Sequence, residues 1–144
     1  MTTYFEDIAV GDTGEFGTYD VTEEEILEFA GKYDPQPFHT DPEAASETIY
    51  GGLIASGWHT CAMTMRLLVD HHFDESAAMG ARGVEELRFP QPVRPGDSLS
   101  VRTEVLERSV DDEDRGTVRV RSETVTDHDE LVLSMISEVM YARR

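Results

Sequence analysis

The stretch "GWHTCAMTMRLLVDHHF", Gly57 to Phe73, decides the fold. Trp58, Cys61, Ala62, Met65, Leu68 and Val69 recur at the three- and four-residue spacing of one helical face. Met63 and Leu67 widen that face until little polar surface remains. A helix so apolar is expected at the buried centre of a domain rather than on its rim. The residues beyond this helix read as β. "GARGVEELRFPQPV", from Gly80, holds a strand ending near Pro90, and "PGDSLSVRTEVLERSV" alternates through Leu99, Val101, Thr103 and Val105. "GTVRVRSETVT" alternates through Val118, Val120 and Ser122, and "ELVLSMISEVMYARR" closes the chain. The acidic clusters between the last three segments are natural hairpin loops. The implied fold class is α+β, an antiparallel sheet with one face packed on the apolar helix.

Upstream, Phe5 to Tyr19 suits short strands and turns, with "VGDTG" as the turn signal. "VTEEEILEFAGKYD", Val21 to Asp34, reads as a helix opened by a Thr22–Glu25 capping box. Ile26, Phe29, Ala30 and Tyr33 form its expected buried stripe. The helix must stop by Asp34, because Pro35 pushes the residue before it out of helical geometry. "TDPEAASE" is a second, short helix, capped by Thr40 or Asp41, with Pro42 at its first position. No linker, repeat or low-complexity segment divides the chain, so residues 1–144 are read as a single domain.

Composition narrows the function classes. The 144 residues carry 30 acidic and 12 basic side chains, a net charge of −18, which opposes nucleic-acid binding. The acids cluster in runs such as "EEE" at 23–25 and "DDED" at 111–114, as expected of solvated helix faces and loop tips. Like-charge crowding of this size is relieved by screening, and the expected setting is a saline cytoplasm. One cysteine, Cys61, rules out an internal disulfide and a cysteine-based zinc cluster. No apolar run approaches the roughly 20 residues that span a bilayer, so no membrane partner is expected. "MTTYFEDIAVGD" has neither a basic region nor an apolar signal core, which supports a cytoplasmic location.

Two features carry candidate chemistry. In "YDPQPFHTDPEAA", Asp34 and His39 stand five residues apart around Pro35 and Pro37. Asp34 ends its helix at the negative pole of the dipole, where a raised pKa is expected, and a raised carboxylate suits a general base. The prolines restrict the intervening loop. A plain helix stop followed by a surface histidine accounts for the same residues. In "GGLIASGWH", Ser56 can cap the central helix, leaving the amides of Gly57 and Trp58 free at its N-terminus, and an ordinary glycine-flanked helix start is the alternative. His59 reads either as a substrate contact or as a hydrogen-bonded structural histidine. His71 and His72 are adjacent on a helix and point about 100° apart, which argues against a shared metal ion. Arg88 and Arg94 flank "FPQPV" and are candidates for phosphate contacts or for balancing acidic neighbours.

Helix–Asp–loop–His, then "DPEAA", "GGLIASGWHT", "RLLVD" and "ELRFPQPVRPGD", resembles the MaoC-like dehydratase and (R)-specific enoyl-CoA hydratase family. The resemblance runs from about residue 20 to the end of the chain. It implies a hot-dog fold, an antiparallel β-sheet wrapped around a long central helix and dimerised edge to edge. It implies a hydratase or dehydratase acting on 2-enoyl-CoA or 3-hydroxyacyl-CoA thioesters, with coenzyme A arriving on the substrate and no metal or other cofactor. Asp34 and His39 match the family's catalytic pair, and Gly57, followed by Trp58, matches its oxyanion and thioester-binding position. Gln36, Phe38, Ser56 and His59 are then substrate-pocket candidates. Gln36, Ser56 and Trp58 depart from the family's usual Asn-Pro and His-Gly-Met, which puts the acyl group in question. The expected assembly is a homodimer or a larger dimer-based oligomer. An acyl-CoA thioesterase and a non-catalytic acyl-CoA-binding protein are the two other readings of the same fold.

Overall fold

A computed structural model describes residues 1–144. Five antiparallel strands form one sheet: β1 (Thr13–Asp20), β2 (Ala78–Arg88), β3 (Ser98–Val110), β4 (Arg115–Thr126) and β5 (Leu131–Ala142), in the spatial order β1-β3-β4-β5-β2. Between β1 and β2 run α1 (Glu23–Tyr33), the short turns α2 (Pro37–Thr40) and α3 (Pro42–Ser46), and the long α4 (Gly57–His71). The sheet curls around α4, as the alternating strands require. Leu99, Val101, Thr103 and Val105 on β3, and Val118, Val120 and Ser122 on β4, all point into the core. Gly17 sits at φ +156° where β1 slips register against β3, and a Cβ there would lie 2.7 Å from the Ser100 backbone. No helix is long and apolar enough to cross a membrane.

Local chemistry sets the helix limits. Thr22 accepts the Glu25 amide and opens α1, and the α1 acids lie at its positive end. The Glu25 side chain does not close the expected box. It turns inward to Tyr19 and His59 instead. Asp41, rather than Thr40, caps α3 by accepting the amides of Glu43 and Ala44. The stretch after Pro35 holds a helical turn where a loop was expected, with Pro37 at the first position of α2, and this turn carries His39 inward.

The buried face of α4 coincides only in part with the one that hydropathy picks. His59, Thr60, Met63, Thr64, Leu67 and Leu68 face the core, whereas Trp58, Met65 and Val69 are about half exposed or more. The threonines can face inward because their hydroxyls find partners: Thr64 bonds Thr124 on β4 at 2.7 Å, and Thr60 donates to the Ser56 carbonyl at 3.4 Å. A satisfied hydroxyl costs little to bury, so these threonines share the core side with the expected Met63, Leu67 and Leu68. The expected α1 stripe is cut short in the same way. Ile26 and Ala30 are fully buried, while Tyr33 is 64% exposed.

The displaced apolar stripe borders a groove of about 600 Å³, bounded on its other side by Ala78, Ala81, Val84 and Leu87 of β2. Strand β2 is an edge strand, exposed along almost its whole length, with Met79 and Val84 about half exposed. A long edge of this kind is a template for pairing.

Most surface acids have no basic partner, since 30 acidic side chains face 12 basic ones. Molar KCl shortens the Debye length to about 3 Å and removes most of this repulsion. The expected result is a Tm that rises on the order of 10 °C between low and molar KCl, equivalent to roughly 3 kcal/mol for a chain of this size. A Tm that falls with KCl in differential scanning calorimetry contradicts it.

Candidate active site

Asp34 follows the last turn of α1, its amide still donating to the Ala30 carbonyl at 2.8 Å. Pro35 ends the helix there and α2 turns the chain back, so His39 comes to face the residue that ended α1. His39 Nε2 lies 3.4 Å from Asp34 Oδ2, and both side chains are largely buried. Behind the ring, His39 Nδ1 lies 2.8 Å from the Ile54 carbonyl. A carbonyl can only accept, so Nδ1 carries the hydrogen. In the neutral ring Nε2 is then an acceptor that faces another acceptor, the Asp34 carboxylate. Such a pair is satisfied by a donor placed between them, and a water molecule has the two hydrogens required.

The third member comes from α4. Ser56 caps that helix by accepting the Trp58 amide at 3.3 Å, and its own hydroxyl donates to Asp34 Oδ2 at 2.7 Å. One hydroxyl therefore fixes the carboxylate relative to the helix N-terminus. The expectation of two free amides is corrected here, because the Trp58 amide is used by the cap. The Gly57 amide makes no hydrogen bond and remains available at the positive end of α4. A Cβ at residue 57 would lie 2.9 Å from two ring atoms of Phe89, so only glycine fits against that ring.

A cavity of about 400 Å³ brings His39 and Gly57 together, lined also by Phe38, Tyr50, Thr60 and Phe89, with Pro90 to Val93 as one wall. Asp34 is not part of this lining, but it lies 3.4 Å from His39 Nε2, which belongs to it. Phe38 packs edge-on against the His39 ring, with centroids 4.4 Å apart. Gln36 is exposed and donates its amide to Asp34 Oδ1 at 2.7 Å. Trp58 lines the groove beside β2 instead of this cavity. His59 also points elsewhere. It is buried, stacks on Phe29 with centroids 4.6 Å apart, and approaches Glu25 Oε1 at 3.2 Å. Phe89 and Tyr50 escaped the sequence reading, since an aromatic residue in a loop carries no periodic signal.

The electrostatics of Asp34 reverse the sequence expectation. Hydrogen bonds from Gln36 and then Ser56, aided by the nearby His39, hold its pKa below the ordinary value against the pull of burial. Local donors outweigh the helix dipole because they sit within 3 Å of the oxygens. Asp34 is therefore an ionised carboxylate throughout the neutral range.

No shared site forms at His71 and His72. His71 is exposed, while His72 packs edge-on to Phe73 with centroids 4.8 Å apart. Asp97, Asp127 and His128 bring three ligand atoms within 4.8 Å of one another, but each carboxylate there already accepts a backbone amide, from Arg94 and Ser98.

Burial lowers the pKa of both His59 and His72. Each therefore holds its proton less tightly when folded than at the unfolded value of about 6.5. Between those two values the unfolded chain holds more protons, so stability falls as pH drops through about 6.5. We expect Tm to decline between about pH 7.5 and 5.5, and the decline to shrink in His59→Gln and His72→Gln. A flat Tm across that range in wild type counts against the buried neutral histidines.

The MaoC-like domain model matches residues 8–126 of the chain. The chain belongs to the MaoC-like domain family. Among curated family relatives, the 3-hydroxyacyl-thioester dehydratase Z of Mycobacterium tuberculosis is 30% identical over 109 residues, 74% of this chain and 71% of that protein. The crystal structure of a MaoC-like dehydratase from Rhodospirillum rubrum is 42% identical, with a TM-score of 0.87, over 98% of this chain and 97% of that one. The R-hydratase PhaJ1 of Pseudomonas aeruginosa is 26% identical, with a TM-score of 0.74, over 98% of this chain and 86% of the other. The sheet wrapped around α4 is thus the hot-dog fold of MaoC-like proteins.

Proposed function

We propose that this MaoC-like protein is a hydro-lyase that adds water to 2-enoyl thioesters and removes it from 3-hydroxyacyl thioesters, with coenzyme A as the carrier. The observation that supports it best is His39, 3.4 Å from Asp34, lining one cavity with Gly57, whose amide is free. Names of relatives point the same way, since dehydratase Z and PhaJ1 are a thioester dehydratase and a hydratase.

In hydration, one water donates a hydrogen bond to Asp34 Oδ2 and a second to His39 Nε2, leaving an oxygen lone pair for the β-carbon. As the C–O bond forms, the alkene electrons move toward the thioester carbonyl, whose oxygen gains charge beside the Gly57 amide and the α4 N-terminus. The proton taken from water by the acid–base pair is then delivered to the α-carbon. Dehydration runs the same steps in reverse. Asp34, held ionised, orients the water and balances the imidazolium that forms when neutral His39 takes a proton.

The test is the loss of enoyl absorbance when the protein meets crotonyl-CoA in high salt. Release of free thiol without hydration would indicate a thioesterase, and no change would indicate a binding protein. Two copies pairing through β2 would cover the exposed Met79 and Val84 and close the 600 Å³ groove. Light scattering in molar KCl is expected to give twice the chain mass, and Val84→Arg to shift it toward the monomer. A monomeric wild type contradicts this pairing.

A further inference from the structure

At one end of α1 the Ser56 hydroxyl, which caps α4, donates to Asp34 Oδ2 at 2.7 Å. Toward the other end lies a second contact with α4 that has no part in the chemistry proposed above. His59 Nε2 is 3.2 Å from Glu25 Oε1. The same Glu25 oxygen accepts the hydroxyl of Tyr19 on β1. One carboxylate oxygen thus joins α1, α4 and the sheet. Burial, and then Glu25 itself, push the Tyr19 hydroxyl up to about 12, so it keeps its proton and donates. A carboxylate only accepts, so His59 Nε2 carries the hydrogen, the opposite tautomer to His39.

Stability alone is poorly served by this ring. His59 is buried and stacks on Phe29 with the two planes 8° apart, yet its Nδ1 is enclosed with no hydrogen-bond partner. An unpaired buried acceptor is unfavourable, and an apolar side chain of similar size would pack against Phe29 without one. What the imidazole adds is the Nε2–H bond to Glu25, so the placement of α1 is the property this ring serves.

That placement bears directly on the proposed site, because its reacting groups are split between the two helices. Asp34 ends α1, whereas the Gly57 amide opens α4, two residues before His59. The Ser56 bond alone fixes one point and leaves α1 free to pivot about it. Glu25 lies about 13 Å from Asp34 along α1, at 1.5 Å of rise per residue, so a second anchor there stops the rotation. Glu25 and Phe29, one turn apart on the same face of α1, both hold the His59 ring. Catalysis tolerates little error in such a register, since a displacement of about 1 Å can cost roughly 10²-fold in rate.

We propose that Tyr19, Glu25 and His59 form a positioning clamp that holds the Asp34 carboxylate at its working distance from the Gly57 amide. This rests on the hydro-lyase reading for the rate it affects, but its test includes a readout that does not need turnover. His59→Leu keeps the packing on Phe29 and removes the Nε2 donor. It is expected to lower kcat for crotonyl-CoA roughly 10- to 100-fold at nearly constant KM, with Tm unchanged or higher. His59→Gln, whose amide can donate to Glu25, is expected to return part of the rate, a return that packing on Phe29 does not predict. Adding Glu25→Ala to His59→Leu is expected to cost little more, because the two side chains act through one bond. Tyr19→Phe serves if His59→Leu does not fold. It releases the same carboxylate from the sheet and is expected to lower kcat about 2- to 10-fold at constant KM. An unchanged kcat in whichever variant folds, or a KM that rises while kcat holds, overturns the clamp. NMR resonances of the His39 ring nitrogens, recorded without substrate, give the independent arm. The Nε2 signal reports the Asp34 carboxylate 3.4 Å away and is expected to shift in His59→Leu. In a wild type without hydratase activity, that shift keeps the clamp and rejects the hydro-lyase, and an unchanged resonance overturns the clamp as well.

Discussion

Asp34→Asn is expected to lower kcat for crotonyl-CoA hydration by about 10³-fold, equivalent to roughly 4 kcal/mol of barrier. The substitution preserves size and leaves an oxygen to accept the Ser56 hydroxyl, which lies 2.7 Å away in wild type. What it removes is the charge opposite His39 Nε2 at 3.4 Å. Water between the two groups is then held by a neutral amide oxygen instead of a carboxylate, a weaker acceptor, and an imidazolium forming at His39 loses its counter-charge. His39→Gln is expected to act in the same direction. Ser56→Ala should cost less, because it loosens the carboxylate without removing it. Absorbance kinetics with a parallel Tm measurement separate chemistry from folding. Equal rates for wild type and Asp34→Asn, with both proteins folded, would falsify the proposed role.

Gly57→Ala is the second large effect, expected to lower kcat about 10²–10³-fold, the cost typical of losing one oxyanion donor. The amide itself survives. The added methyl would sit 2.9 Å from the Phe89 ring, so the ring must shift, and Phe89 and Gly57 both line the cavity. The thioester oxygen then cannot reach the amide at hydrogen-bonding distance. Phe89→Ala in the same chain removes the ring and should return part of the rate if the defect is steric. A Gly57→Ala protein with wild-type kinetics rules out the Gly57 amide as the oxyanion donor.

Much of this site was legible because its residues also punctuate secondary structure. Asp34 stands before a proline, Ser56 stands before the first turn of an apolar helix, and Gly57 opens that helix. The family resemblance then gave His39 its partner. The direction of the Asp34 pKa was not legible, because it depends on Gln36 and Ser56, one of them 22 residues away in the chain. Phe89 was missed for a similar reason. Its ring matters only because it lies against Gly57.

The central helix shows the limit of pattern reading most clearly. Hydropathy placed Trp58, Met65 and Val69 inside along with Met63, Leu67 and Leu68, and the fold buries only the last three, with Thr60 and Thr64 beside them. Periodicity reports which residues share a face, but not which face meets the sheet. That choice was made by partners far along the chain, such as Thr124 for Thr64, and by the open edge of β2.

The sequence by itself determined the α+β class, the alternating strands, the limits of α1 and the residues able to do chemistry, because spacing, caps and prolines act within a few positions. Only the tertiary structure decided how far the core face of α4 departs from its apolar stripe, that Asp34 stays ionised and that Phe89 closes on Gly57. Each of these depends on contacts between distant segments, and burial and charge pairing exist only once those segments meet.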